Sequence, residues 1–173
     1  MKEQDVHELI EDAKTLCCLW HGVFLRVLCL ISGIRIDFAL KSFWTYQYAD
    51  VCTCYERFLL KGNFTYSGSG SFGLCFDYNG EADKYKLISI CPDDNILQLS
   101  FNEGTTPIAE TEIHLEPGKD YSFTYVQEGS VGVFYIDGMA VLTVRLYGVS
   151  GKPVKLFAQN NSVTFSALEQ YSN

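Results

Sequence analysis

From about residue 57 to residue 169, apolar and polar residues alternate in short segments. Loops rich in glycine, serine and asparagine separate these segments, as at Ser67-Gly68-Ser69-Gly70 and Asp137-Gly138. A repeat of two residues is typical of a β-strand with one buried face, because successive side chains point to opposite sides of a sheet. Many short strands separated by tight turns predict an all-β fold, an antiparallel two-sheet β-sandwich.

The pattern predicts ten strands. They are Arg57 to Tyr66, Ser71 to Tyr78, Lys84 to Cys91, Ile96 to Phe101, Ile108 to Leu115, Asp120 to Gln127, Val131 to Ile136, Ala140 to Leu146, Val154 to Gln159 and Val163 to Leu168. Asp137-Gly138 indicates a two-residue hairpin, since both central positions of that turn favour a positive φ. Alternation assigns the core to one side of each strand, with Leu74, Phe76, Phe123, Phe134, Ile136, Leu142, Leu156 and Phe165 buried.

The N-terminal third has a different character. Residues 1 to 14 are polar and acidic, and Leu16 to Ile36 is strongly apolar. A membrane span needs about 20 apolar residues, but His21 and Arg26 interrupt this segment, and a membrane anchor is therefore not favoured. The alternatives are a hydrophobic helix or pair of strands that covers one sheet, or a segment outside the fold. We predict an irregular, hydrophobic, cysteine-rich appendage over residues 1–56 and the β-sandwich over residues 57–173.

Charge excludes one class of partner. The chain has 13 basic and 21 acidic residues and a net charge of −8. Affinity for DNA or RNA rests on Lys and Arg neutralising phosphates, and the sequence has no basic stripe. Nucleic acid is therefore excluded as a partner, whereas a neutral ligand such as a sugar suits an acidic module.

The cysteines favour a reducing compartment. There are seven, an odd number, and the acidic N-terminus does not resemble a secretory signal, so we expect reduced thiols and a cytoplasmic location. Cys52-Thr53-Cys54 could bind zinc with Cys17, Cys18 or His21. Structural zinc sites space paired ligands by two to four residues, however, and here one residue intervenes. Buried thiols are the better interpretation.

No catalytic residue is predicted. The three histidines lie in unrelated segments, and no Gly-x-Ser-x-Gly nucleophile motif accompanies them. Oxygen side chains alternate at Asp77, Asn79, Glu81 and Asp83, which could begin a calcium site. No bidentate Glu follows, and an ordinary hairpin loop is the alternative.

Aromatic residues are the best indication of binding. The C–H faces of sugar rings stack on Tyr and Trp while neighbouring polar groups hold the hydroxyls. The candidate carbohydrate-binding residues are Tyr85, Tyr125 and Tyr135, with Gln127 and Arg145 as polar partners. Ordinary packing within the sandwich is the alternative for each ring.

The order of motifs in the second half resembles one known family. Gly132 to Gly138 (GVFYIDG) is followed by Val144 to Gly148 (VRLYG), Lys155 to Ala158 (KLFA) and Val163 to Phe165 (VTF). This order is similar to that of the C-terminal β-sandwich module of glycoside hydrolase family 32, which includes β-fructofuranosidases, levanases and sucrose-6-phosphate hydrolases. Gly70 to Leu74 and Phe76 to Tyr78 fit its early strands. The resemblance covers residues 57–171 and implies a concanavalin-like or laminin-G-like jelly roll.

The resemblance also bears on activity. The family's catalysis lies in a separate five-bladed propeller with Asp-Pro-Asn-Gly, Arg-Asp-Pro and Glu-Cys motifs, and none of these strings occurs in this chain. The resemblance therefore implies a non-catalytic accessory module that binds a fructan or related glycan or packs against a catalytic propeller. An independent lectin-like glycan-binding domain is one alternative, and a truncated remnant or interaction domain is another.

Overall fold

The computed structural model describes residues 23–30, 33–41, 46–78, 85–102 and 106–172. The strands are β1 (Val23–Leu30), β2 (Gly33–Lys41), β3 (Gln47–Thr53), β4 (Arg57–Ser67), β5 (Ser71–Phe76), β6 (Lys86–Cys91), β7 (Ile96–Phe101), β8 (Ala109–Glu112), β9 (Asp120–Glu128), β10 (Val131–Ile136), β11 (Met139–Arg145), β12 (Pro153–Gln159) and β13 (Ser162–Ser172). A 3-10 turn, Pro92–Asp94, joins β6 to β7.

The described strands form two antiparallel sheets. The seven-stranded sheet has the order β1-β2-β13-β4-β9-β10-β11, and the six-stranded sheet has the order β3-β12-β5-β6-β7-β8. The predicted all-β, two-sheet sandwich is therefore confirmed. All ten predicted strands are present as β4 to β13, and β7 and β10 have the predicted bounds.

The differences at strand ends have local causes. β5 ends at Phe76, because Asp77 adopts a positive φ of 65°, a backbone conformation that does not continue a strand. β8 is shorter than predicted because it is an edge strand with a partner on one side. Beyond it, the carbonyl of Leu115 accepts a hydrogen bond from the Tyr66 hydroxyl at 2.8 Å. This carbonyl bonds to a side chain of β4, in the other sheet, instead of extending the ladder.

The core lies between the two sheets, where aromatic rings from both pack together. All eight predicted core residues are buried. Phe64 of β4 and Phe72 of β5 bring the two sheets into contact, with ring centroids 5.3 Å apart. Phe123 of β9 stacks on Phe134 of the adjacent β10, with centroids 6.0 Å apart. Burying rings of this size supplies a large share of the stability of such a core.

The two sheets include strands that precede the predicted boundary at residue 57. β2 pairs with β13 in one sheet and β3 pairs with β12 in the other, so the sandwich includes strands from the supposed appendage. Leu40, Ala49 and Cys54 are buried in the same core cluster as the later strands. The expected irregular segment is therefore regular from Gly33 to Thr53 wherever it is described. Its strands extend the sheets at their edges instead of covering a sheet face.

No helix in the described part of the chain combines the length and apolar character that crossing a bilayer requires.

Candidate functional site

The outer face of the six-stranded sheet carries polar side chains in adjacent strands. Leu97 and Leu99 of β7 are buried in the core, so Gln98 and Ser100 point to the opposite face. On the neighbouring strand β6, Ser89 pairs with Gln98 and Leu87 pairs with Ser100. The strand ladder therefore places an amide and two hydroxyls side by side.

These side chains line a groove of about 270 Å³, here called the sheet groove. Polar side chains from four neighbouring strands line this groove: Ser71 of β5, Ser89 of β6, Gln98 and Ser100 of β7, and Gln159 of β12. The aromatic ring of Tyr46 forms one wall. Strands in a sheet lie about 4.8 Å apart, so the groove crosses about 14 Å of the sheet. That length exceeds one sugar ring.

The hydroxyls of the sheet groove are well shielded from solvent. Ser89 and Ser100 are each only 4% exposed. Ser71 donates a hydrogen bond to Oε1 of Gln159 at 3.4 Å, which restrains that amide at the groove wall. Polar groups held in a partly dehydrated site give stronger and more selective hydrogen bonds to a ligand than the same groups in water.

Gly73 forms part of the outer face between the groove and an aromatic cluster. It pairs with Ser89 on one side and with Phe157 on the other. A Cβ atom at this position would lie 2.0 Å from the carbonyl oxygen of Ile88 and 3.4 Å from the Phe157 ring. Only glycine permits this close approach of β5 to β6.

An aromatic cluster occupies the rest of the outer face. Tyr48 stacks on Tyr78 with ring centroids 4.4 Å apart, and Tyr46 lies 5.7 Å from the buried Phe157 ring. Lys155 extends over Tyr78 at 5.5 Å and pairs with Asp50 at 2.9 Å. Tyr46, the wall of the sheet groove, therefore packs within this cluster against Phe157 and Tyr48.

One end of the sheet groove is acidic. Asp93 and Asp94 lie there in the 3-10 turn, and Oδ2 of Asp93 accepts a hydrogen bond from the backbone N–H of Gly70 at 3.4 Å. Burial, with a smaller contribution from the carboxylates of Asp94 and Asp93, raises the pKa of the Cys91 thiol to about 11. No lysine or arginine is among the described residues that line the groove.

The structure does not bring the five predicted carbohydrate-binding residues together. Tyr125 is fully buried and Gln127 is 2% exposed, so both belong to the interior and neither presents a surface to a ligand. Tyr85 is also buried and lies edge-on to Tyr78 at 5.1 Å. Burial therefore leaves Tyr125 and Gln127 no face for a ligand, whereas a binding role for Tyr85 stays a prediction.

The other two predicted residues lie on the outer face of the seven-stranded sheet. Tyr135 projects from β10 between the buried Phe134 and Ile136. Arg145 of β11 pairs with Val131, four residues before Tyr135, which separates the two along the strands by about 13 Å. Their role in binding stays a prediction.

The predicted calcium site is described only in part. The carboxylate of Asp77 lies 3.2 Å from Nζ of Lys152, whereas Asn79, Glu81 and Asp83 lie outside the described residues. The alternative zinc site is also described only in part, since Cys17, Cys18 and His21 lie outside the described residues. Among residues whose positions are described, no group of three metal-binding side chains occurs.

The groove residues were missed because their signal is weak at the level of sequence. Segments such as Leu97-Gln98-Leu99-Ser100 show that a polar side chain points outward, but an outward polar residue ordinarily means solvation. Ser71 and Gln159 are 88 residues apart and meet only through the pairing of β5 with β12.

Comparison with known proteins gives likenesses of structure alone. No family model and no curated protein matches the sequence. The carbohydrate-binding module CBM66 from Bacillus subtilis has a TM-score of 0.58 at 16% identity, over 87% of this chain and 96% of that chain. Galectin LEC-6 from Caenorhabditis elegans has a TM-score of 0.54 at 12% identity, over 76% of this chain and 95% of that chain.

A longer protein contains a similar sandwich as one part. The fructosyltransferase from A. japonicus has a TM-score of 0.59 at 12% identity, over 92% of this chain but only 28% of that chain. At these identities the three likenesses establish a shared β-sandwich fold.

Proposed function

We propose that this protein is a non-catalytic carbohydrate-binding β-sandwich and that the sheet groove is its binding site. The observation that carries the proposal is the juxtaposition of shielded hydroxyls and amides with an aromatic wall on one sheet face. Sugars need such a combination, because they present hydroxyl edges and apolar C–H faces together. The names of two proteins of similar fold, a carbohydrate-binding module and a galectin, support this class of ligand.

The ligand we favour is a neutral glycan, with a fructan as the finer proposal. Asp93 and Asp94 can accept hydrogen bonds from sugar hydroxyls but repel a carboxylate or sulfate. The fructan assignment is supported by the motif order that resembles the family 32 accessory module and by the structural likeness to a fructosyltransferase.

The test is an affinity screen of the full chain against levan, inulin, dextran and galactan, with a matched pair of glutamine variants. Gln98→Ala removes a groove amide, whereas Gln170→Ala removes an exposed amide of β13. One hydrogen bond contributes about 0.5 to 1.5 kcal/mol, so Gln98→Ala should weaken binding about two- to tenfold. Gln170→Ala should leave it unchanged. Absence of binding to every glycan, or equal effects of the two variants, contradicts the proposal.

The accompanying activity assay should show no fructose released from sucrose, levan or inulin. A retaining glycosidase needs two carboxyl groups about 5 to 5.5 Å apart around the scissile bond, and the family motifs that supply them are missing from the sequence. Hydrolysis that disappears on substitution of a single Asp or Glu of this chain would overturn the non-catalytic part of the proposal.

A second role, packing against a catalytic domain, is favoured by one observation. The similar region of the fructosyltransferase makes up 28% of that chain, so this fold also exists there as part of a larger enzyme. Co-purification of this chain with a separately expressed propeller domain of a β-fructofuranosidase would test that role.

A further inference from the structure

We propose that a second cavity, at one end of the sandwich, binds a sugar unit that carries a carboxylate, a hexuronate. This site is separate from the sheet groove, and the inference goes beyond the proposed function because it holds whether or not the groove binds a glycan. The cavity, here called the end cavity, is lined by Lys86, Phe101, Asn102 and Tyr147, with Asp77 and Tyr85.

The fold brings these residues together from four places in the sequence, the first of which is Asp77, directly after β5. β6 begins at Lys86 and β7 ends at Phe101, and the two residues are direct partners in the ladder. The connection between β11 and β12 crosses from one sheet to the other at this end and carries Tyr147. The resulting cavity has a volume of about 390 Å³, within the range of about 300 to 1,000 Å³ found for small-molecule sites.

Two aromatic side chains of the end cavity are open to solvent. Phe101 is 47% exposed and Tyr147 is 64% exposed. An exposed ring beside a cavity offers a flat apolar surface on which the C–H face of a sugar can stack. Asn102 lies in the same cavity, and its amide group can both donate to and accept from hydroxyls.

Two of the described residues that line the end cavity are charged, Asp77 and Lys86. The carboxylate of Asp77 is neutralised by Lys152, whose Nζ lies 3.2 Å away. Lys86 has no carboxylate partner among the residues that the structure describes, and its Nζ lies 6.0 Å from the centre of the Phe101 ring. An ammonium beside an aromatic platform suits a ring that carries a negative charge at one edge.

The net charge of −8 does not cancel this preference. At physiological ionic strength the screening length is about 8 Å, so distant carboxylates contribute little inside the cavity. The charges that decide selectivity are those in and beside the cavity, namely Lys86 and the ion pair of Asp77 with Lys152. The end cavity should therefore favour an acidic sugar, whereas the sheet groove with its acidic end favours a neutral one.

The experiment titrates the full chain with trigalacturonate and, in parallel, with the neutral galactotriose, and follows backbone amide resonances. We expect trigalacturonate to bind at least tenfold more tightly and to shift the amides of Asn102 and Gly148, which lie in the end cavity. Lys86→Gln should weaken trigalacturonate binding about tenfold, since a hydrogen bond to a charged group is worth that much. Tyr147→Ala should weaken the binding of both trisaccharides.

Matched controls distinguish this site from general effects. Lys119→Gln removes an exposed lysine elsewhere, and Tyr171→Ala removes an exposed tyrosine of β13. Neither should change binding, and Lys86→Arg, which keeps the charge, should retain it. Gln98→Ala should also have no effect, which separates this inference from the groove proposal.

Three outcomes would overturn the inference: no binding of trigalacturonate, equal affinity for the neutral trisaccharide, or shifts confined to the sheet groove near Ser89. Retained binding by the Lys86→Gln variant would do the same. Each of these outcomes leaves the groove proposal intact if a neutral polysaccharide still binds there.

Discussion

The hydroxyl of Tyr125 donates a hydrogen bond to Oε1 of Gln127 inside the sandwich, between two residues of the same strand that both face the core. The amide nitrogen of Gln127 donates in turn to the carbonyl of Gly129 at 2.8 Å. On the adjacent strand, a Cβ atom at Gly132 would lie only 2.4 Å from the Tyr125 hydroxyl. The absence of a side chain at Gly132 therefore leaves room for a buried polar pair.

Tyr125→Phe should lower the free energy of unfolding by about 1 to 3 kcal/mol. The substitution removes the hydroxyl donor, so the buried Oε1 of Gln127 loses that hydrogen bond. The cost of removing this oxygen from water is then no longer offset by the bond. Urea denaturation measures the change. Glycan binding by the folded variant should equal that of the wild type. A loss of binding without a loss of stability would show that Tyr125 contacts the ligand.

Phe134→Ala should destabilise the protein by about 3 to 5 kcal/mol, because the ring is buried and stacks on Phe123. Met139→Ala in the next strand is the matched control, since Met139 is 68% exposed and should change stability by less than about 0.5 kcal/mol. Equal effects of the two substitutions would show that the core has been assigned to the wrong face.

A fragment of residues 57–173 should fold into the same two sheets, because its strands alternate and its turns are encoded locally. It should nevertheless be less stable than the full chain by at least about 3 kcal/mol, since it lacks the buried Leu40 and Ala49. It also leaves β12 and β13 without the partners β3 and β2. Comparison of urea midpoints tests this, and equal midpoints would mean that the N-terminal strands contribute nothing.

Stability should decline in alkaline solution because of two neighbouring thiols. Burial, together with a smaller effect of Cys54 two residues away, raises the pKa of Cys52 to about 12, and burial raises the pKa of Cys54 to about 11. A thiol whose pKa is higher in the folded state stabilises the fold fully below its unfolded pKa, about 8.5. That contribution is lost as the pH rises towards 11 and 12.

The measurement is the urea midpoint between pH 8 and pH 11 for the wild type and for the double variant Cys52→Ala, Cys54→Ala. The wild type should lose more stability than the variant over this range, and the comparison at pH 7 corrects for lost packing. If the urea midpoints of the two proteins fell equally with pH, these thiols would have the same pKa in the folded and unfolded chains.

From β4 onward, the strands and the buried faces of this protein follow from the local pattern of apolar and polar residues. Alternation is a local property, and it places Phe134 and Ile136 inward and Tyr135 outward whatever the partner strand is. The hairpin at Asp137-Gly138 is equally local, since both residues have a positive φ, of 48° and 77°. The same alternation already placed Tyr125 on the face of Phe123, so its burial follows from the pattern.

Only the tertiary structure decided where the N-terminal strands and the candidate sites lie. β2 alternates apolar residues with others and β3 shows no clean period, but the positions of both follow from pairing with β13 and β12, more than 100 residues later in the chain. The sheet groove joins Ser71 to Gln159, and the end cavity joins Lys86 to Tyr147. Such contacts depend on strand order and on the loops that cross between sheets, and these are properties of the whole fold that no local pattern contains.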